Sequence, residues 1–262
     1  MPLLAWIVLF SLLGGALSVL AAAILLVLPQ RYRTDLLPHL VSFAIGVLLG
    51  AAFLALLPHA LSGPVRADPH VIGLAVLLGL LGFFLLEKMV LWRHCHSASC
   101  EAHTPHEAYE RGRDQSTVSL VLLGDGLHNL VDGVLIAAAF LSDFHLGIVT
   151  SLAVAAHEVP QEVGDFAILL SSGLGRPQAL ALNILSGLAS VVGAVAAYFG
   201  LSASLGSVPY VLAVAAASFI YIAVADLIPG LHRRTQLGAT VQQLALISTG
   251  VVVIYLAHSL LH

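Results

Sequence analysis

Long runs of apolar residues, separated by short polar intervals, make up most of the chain. About 20 apolar residues cross a hydrocarbon core as a helix. Eight stretches reach that length: residues 4–28, 36–62, 71–91, 118–140, 144–171, 178–200, 206–228 and 239–261. Glycine and proline inside them do not veto helix, because neighbouring helices can satisfy freed backbone groups. Strict apolar–polar alternation is absent, so a β-barrel has no support. The pattern predicts an all-α integral membrane protein with eight transmembrane helices in a single transmembrane domain spanning 1–262. The one sizeable polar segment is the loop 92–117. The first stretch is too long for a signal-peptide core and has no basic residue before it, which predicts a retained helix.

Helices 4 and 5 break the apolar rule. Helix 4 carries Asp125, His128, Asn129 and Asp132. Helix 5 carries His157, Glu158, Gln161, Glu162 and Asp165. A charge at a helix centre costs about 2.5–3.5 kcal/mol on insertion scales. Five central, unpaired carboxylates would cost on the order of 10–15 kcal/mol. That exceeds the whole stability of many domains, so hydration, protonation or bound cations must offset it. No basic residue lies inside either span to do so.

The spacing points to a shared site. Asp125, His128, Asn129 and Asp132 fall at i, i+3, i+4 and i+7, which is one helical face. Glu158, Gln161, Glu162 and Asp165 repeat that spacing, with His157 beside them. A short connection near Leu141–Phe144 makes the two helices antiparallel and brings both sets to the midplane. Pro160 removes a backbone donor and frees a carbonyl one turn earlier, near Ala156, which predicts a kink lining a cavity. Gly124, Gly126, Gly133 and Gly164 flank the polar residues and would permit close helix approach or simple packing.

Composition agrees with a membrane protein. Hydrophobic residues are 59% and charged residues 9% of the 262, and mean hydropathy is +1.00. Soluble domains average about 45–50% apolar and about 25% charged, so an ordinary soluble enzyme, a disordered chain and a nucleic-acid binder are excluded. Net charge is −4, and two cysteines are too few for a disulfide framework. Thirteen histidines against ten Lys plus Arg is the unusual balance. The basic residues set orientation. Arg31, Arg33, Lys88, Arg93, Arg111, Arg113, Arg176, Arg233 and Arg234 fall in one set of loops and only Arg66 in the other. The positive-inside rule then puts both termini outside and the 92–117 loop in the cytoplasm.

Imidazole with carboxylate and amide oxygens suits Zn²⁺, and also Fe²⁺, Mn²⁺, Co²⁺ or Cd²⁺. Without a thiolate, and with water access, such a site favours release, which transport requires. At these residues the sequence resembles the ZIP (zinc- and iron-regulated transporter-like) family. HNLVDG at 128–133 looks like the family's HNFxDG, and HEVPQEVGDF at 157–166 like its HExPHExGDF. ALLPHA at 55–60, FFLLEK at 83–88 and ADLIPG at 225–230 add to the likeness. The resemblance implies uptake of divalent metal into the cytoplasm, often as a homodimer, through a centre between helices 4 and 5. It implies His128, Asp132, His157 and Gln161 as ligands of one metal, and Asn129 and Glu158 as ligands of a neighbouring one. The chain has Gln161 where the family motif has its second histidine. A neutral amide bridges two cations poorly, so the departure weakens a tight binuclear site. Val131 stands where many relatives carry another residue.

Other polar residues have weaker claims. Asp125, Glu162 and Asp165 lie one turn or more cytoplasmic of the site, where they would line the exit or make packing hydrogen bonds. His94, Cys95, His96, Cys100, His103 and His106 make the loop a metal acceptor or an ordinary solvated segment. His59 could assist metal access or cap its helix, and Asp226 with His232 could belong to an exit or gate. Asn183, Ser186 and Ser190 suit interhelical hydrogen bonding. His39, His70, His258 and His262 have no assigned role. The competing functions are a metal importer in the plasma (inner) membrane, contacting lipid and no nucleic acid; an intramembrane zinc-dependent hydrolase using HEVPQ; and a structural or receptor protein. The hydrolase is opposed by Gln161 at the position where a zincin needs histidine and by Pro160. A receptor has no need of five buried acids. No ATPase or nucleotide-binding signature is present, and no catalytic residue is predicted.

Overall fold

The structure is a computed structural model that describes residues 2–63, 65, 67–94, 115–232 and 236–261. Among these residues the regular structure is helical throughout. Eight rods follow one another: α1 Leu3–Val27, α2 Gln30–Ser62, α3 Pro69–His94, α4 Gln115–Ser142, α5 Phe144–Ser171, α6 Arg176–Ser202, α7 Leu205–Leu231 and α8 Leu237–Leu261. Seven of them contain stretches long and apolar enough to cross a membrane. The remaining rod, α5, is 28 residues long but is interrupted by the polar set at 157–165. The frame is that of an all-helical membrane protein. The rods extend the expected spans by a few residues at most ends, and α2 begins six residues early, at Gln30 rather than 36. The expected loop 92–117 shrinks because α3 runs to His94 and α4 starts at Gln115. Residues 95–114, with the loop cysteines and most of its histidines, lie outside the described residues.

Local chemistry shapes the rods. Pro58 and Pro229 lack an N–H, and their rings crowd the carbonyl four residues back. Each is preceded by one turn of π-helix, Ala51–Leu56 in α2 and Ile222–Leu227 in α7. There the N–H groups of Leu57 and Ile228 reach back to the carbonyls of Ala52 and Ala223. Pro160, by contrast, is carried inside α5 without ending it, and the rod stays α-helical across that position. α1 breaks at Gly15 and α6 at Leu188. The two breaks meet, because a side chain on Gly15 would collide with the backbone of Gly187. Ser190 Oγ donates to the Ser11 carbonyl at 3.0 Å, stitching the same junction.

Packing puts α4 and α5 at the centre. α4 lies against α6, with Gly133 facing the Ser190 carbonyl and Gly193 facing the Leu130 carbonyl. α5 lies against α1, α2 and α4, and α7 packs on α3, α2 and α4. The main core joins Ile45, Leu48, Leu135, Ile136, Leu212 and Phe219, all buried. Of the glycines flanking the polar residues, Gly133 makes the expected close approach, whereas Gly164 faces open space. The outer rods α3 and α8 have most of their apolar surface exposed, including Leu74, Leu78, Leu81, Leu244 and Leu256, as suits helices in contact with lipid.

Candidate metal centre

α4 and α5 are joined by a single residue, Asp143, whose carboxylate accepts the N–H groups of His145 (2.8 Å) and Leu146 (2.9 Å) and so starts α5. So short a hinge makes the rods antiparallel. His128 is 15 residues before Asp143 and His157 is 14 after it, so the two imidazoles come level. Their Nε2 atoms are 3.2 Å apart. His128 Nε2 lies 3.2 Å from Glu158 Oε1 and 3.7 Å from Asp132 Oδ2. His157 Nε2 lies 3.4 Å from Asp132 Oδ2 and 3.7 Å from Glu158 Oε1.

These spacings have a chemical meaning. Zinc binds imidazole nitrogen and carboxylate oxygen at about 2.0–2.2 Å in a tetrahedron, so two ligand atoms sit about 3.3–3.5 Å apart. The five measured separations cluster around that edge length. Three of the four donors are out of water, with Asp132 and His157 1% exposed and Glu158 0%, while His128 is half-buried. Both oxygens of Asp132 and of Glu158 lack a hydrogen-bond donor among the described residues. A buried carboxylate without donors is costly, and a cation held between the four side chains would offset that cost. His157 is oriented for ligation, since its Nδ1 meets the Ala153 carbonyl at 3.0 Å. A carbonyl can only accept, so Nδ1 carries the proton and Nε2 keeps its lone pair. The ring of Phe219 stands edge-on to it, with centroids 6.1 Å apart.

A second group adjoins the first. One carboxylate oxygen each from Asp125, Glu158 and Glu162 lies within 4.8 Å of the others. The antiparallel register explains this: Asp125 is a turn before Asn129 on α4, Glu162 a turn after Glu158 on α5, and the two level up. Asn129 donates from its amide nitrogen to Asp125 Oδ1 at 2.9 Å, and its own Oδ1 is buried without a donor. Glu162 is likewise buried with neither oxygen hydrogen-bonded. Glu158 belongs to both groups.

The nine expected residues therefore divide. His128, Asp132, His157 and Glu158 converge in one group, and Asp125, Glu158 and Glu162, with Asn129 alongside, in the next. Asp165 is half-buried and belongs to neither group. Gln161 is half-buried one turn after His157 on α5. Glu158 sits with the histidines as well as in the second group, and Asp125 and Glu162 stand one turn along their helices from Asn129 and Glu158. Spacing along one helix shows which residues share a face, but not which oxygen of the facing helix comes nearest. Ser186 and Ser190 do bond between helices, with Ser186 Oγ donating to the Leu122 carbonyl at 3.4 Å. Asn183 is fully buried with neither amide atom paired among the described residues. Asp226, in the π-turn of α7, lies within electrostatic range of His128 and His157. The neighbouring Tyr221 hydroxyl donates to Glu87 of α3.

Such a bundle, with paired imidazole and carboxylate donors facing each other between two central rods, is a helical membrane protein with a buried donor cluster that could hold a metal ion. The profile of the ZIP zinc transporter family matches residues 3–119 and 93–258, and the chain belongs to that family. It is 34% identical over 267 residues to zinc transporter ZIP13 of Pongo abelii, covering 94% of this chain and 77% of the relative. It is 36% identical to zinc transporter ZIP5 of Homo sapiens, over 82% of this chain and 51% of that protein. Against zinc transporter YKE4 of Saccharomyces cerevisiae it is 39% identical, over 59% of this chain and 46% of the relative. The chain thus spans about half the length of the human ZIP5 and yeast proteins.

Proposed function

We propose that this chain, acting as a single membrane domain, carries divalent metal, zinc foremost, across the membrane into the cytoplasm. Supporting this is the convergence of His128, Asp132, His157 and Glu158 at separations that fit the edges of a zinc tetrahedron. The metal is cargo: His128 and His157 supply nitrogen, Asp132 and Glu158 neutralise its charge, and Asp125, Glu162 and Asn129 offer oxygens for the next step. Gln161 and Asp165 flank that path. Fe²⁺, Mn²⁺, Co²⁺ and Cd²⁺ meet the same donors. An inward membrane potential favours cation entry by about 2.3 kcal/mol per charge per 100 mV, so a gradient and potential suffice to drive movement. The assembly we infer is a homodimer in the plasma (inner) membrane with both termini outside. The chain is not read as an enzyme. Helix 5 places Gln161 where a zincin has its second histidine, and Glu158 is committed between two donor groups rather than to an attacking water.

Purified protein in liposomes should take up Zn²⁺ faster than empty liposomes; binding without uptake would end the transport reading. His157→Ala should lower the initial rate by roughly tenfold or more, since it removes a direct ligand. Unchanged uptake at equal protein would displace the site. For orientation, cysteines placed singly at 96–112 should resist an impermeant thiol reagent applied outside intact cells. Labelling from outside would reverse the topology.

A further inference from the structure

Near the start of α2, one stripe of side chains passes from charged to apolar. Arg33, Leu36, Leu37 and Leu40 fall at i, i+3, i+4 and i+7, which is one helical face. That face, with Leu25 of α1 and Val163 of α5, lines a cleft where the three rods meet. All its lining residues except Arg33 are aliphatic. The Nε of Arg33 is buried and has no hydrogen-bond partner among the described residues. Asp35 does not neutralise it from within the cleft. It is exposed, two residues further on, and lines a neighbouring recess with Leu28, Tyr32, Leu36 and His39.

A buried guanidinium N–H without an acceptor is costly. The level of the cleft in the membrane selects what can satisfy it. Arg33 lies in the first turn of α2, on the side of the bundle where the basic residues gather. Its neighbour Tyr32 is 50% exposed, with the Arg31 guanidinium 4.5 Å from the centre of its ring. Amphipathic rings of this kind settle at the level of lipid headgroups. From there the leucines of the stripe run along α2 into the depth of the acyl chains. An arginine stem lies well on such a surface while its fork stays at headgroup level. A ligand complementary to the whole cleft therefore joins an anionic head to a hydrocarbon tail.

We propose that the cleft between α1, α2 and α5 binds an anionic phospholipid of the surrounding membrane. Its phosphate meets the Arg33 guanidinium, and an acyl chain lies along Leu25, Leu36, Leu37, Leu40 and Val163. Guanidinium pairs with phosphate through charge-assisted hydrogen bonds. A zwitterionic lipid brings its own cation beside the phosphate and gains less from Arg33. Val163 is next to Glu162 on α5, so the lipid rests against a helix that carries metal donors. The binding itself does not depend on the transport reading.

Purified full-length protein in detergent, mixed with phosphatidylglycerol or phosphatidylcholine of identical chains and followed by native mass spectrometry, tests the site. Phosphatidylglycerol should be retained roughly fivefold better. Arg33→Gln should cut that preference to within about twofold. Arg176→Gln, which removes a basic residue outside the cleft, should leave it intact. Phosphatidylglycerol carrying a diazirine in its acyl chain should label the segments around Leu36–Leu40 and Val163 on illumination. Should Arg33→Gln not be recovered folded, that labelling pattern in the unaltered protein decides the site. Equal retention of the two lipids, a preference that survives Arg33→Gln, or labelling confined to other rods would overturn the proposal. Displacement of phosphatidylglycerol by inorganic phosphate would assign Arg33 to a free anion and would overturn it as well.

Discussion

Glu158→Gln is expected to lower Zn²⁺ uptake by roughly a hundredfold or more, the largest loss of any single ligand change. Glu158 is the one side chain common to both donor groups: it faces His128 at 3.2 Å and groups with Asp125 and Glu162. Glutamine keeps its size and removes its charge. The first group then retains one carboxylate, Asp132, and the second loses the oxygen that links it to the first. Glu162→Gln touches only the second group and should cost less, on the order of tenfold. Initial rates in liposomes, normalised to protein, together with equilibrium Zn²⁺ binding, check the order. Misfolding is separable from ligand loss here. Glu158 is fully buried with no hydrogen-bond donor on either oxygen among the described residues, and it faces only imidazoles of the site, so neutralising it removes a buried charge without breaking a hydrogen bond. The metal-free variant should therefore melt no lower than the unaltered protein. Uptake within about threefold of normal would mean that the two groups do not share this residue.

Gly193→Val is expected to destabilise the fold by about 3 kcal/mol or more through overpacking. α6 meets α4 there at backbone distance: a side chain on Gly193 would strike the Leu130 carbonyl, as one on Gly133 would strike that of Ser190. Leu130 and Gly133 flank Asp132 on α4, so the contact also sets how α4 is turned toward α5. The variant should lose yield and melt early in detergent, and surviving protein should bind metal weakly. Gly82→Ala, on the open surface of α3 with no atom within 4 Å of the added carbon, is the matched control and should behave as the unaltered chain. Equal melting of the two variants would show that the α4–α6 contact is looser than the structure indicates.

Much of this was legible in the residues. The rods follow from apolar runs long enough to span a bilayer, and the antiparallel pairing of α4 and α5 from the shortness of the link at Asp143. The donor types on 125–132 and 157–165 already required hydration, protonation or a bound cation, because charged carboxylates cannot lie bare in hydrocarbon. Other features were not legible. The π-turns before Pro58 and Pro229 have no counterpart in the sequence reading, and the helix runs on through Pro160 within α5. Gly164 looks like a packing glycine and faces open space, whereas Gly193, unremarked among the polar motifs, carries a backbone contact.

The order of the helices, and which donor types lie on which helix, are set by neighbours along the chain, so the sequence alone determined them. Which donors meet was decided only in three dimensions. Glu158 joins both groups because of how far α4 and α5 are rotated about their axes. His59 and His258, 199 residues apart, bring their rings to 5.3 Å because glycines let α2 and α8 close on each other. Rotation and approach depend on packing between distant segments, and no local spacing encodes them.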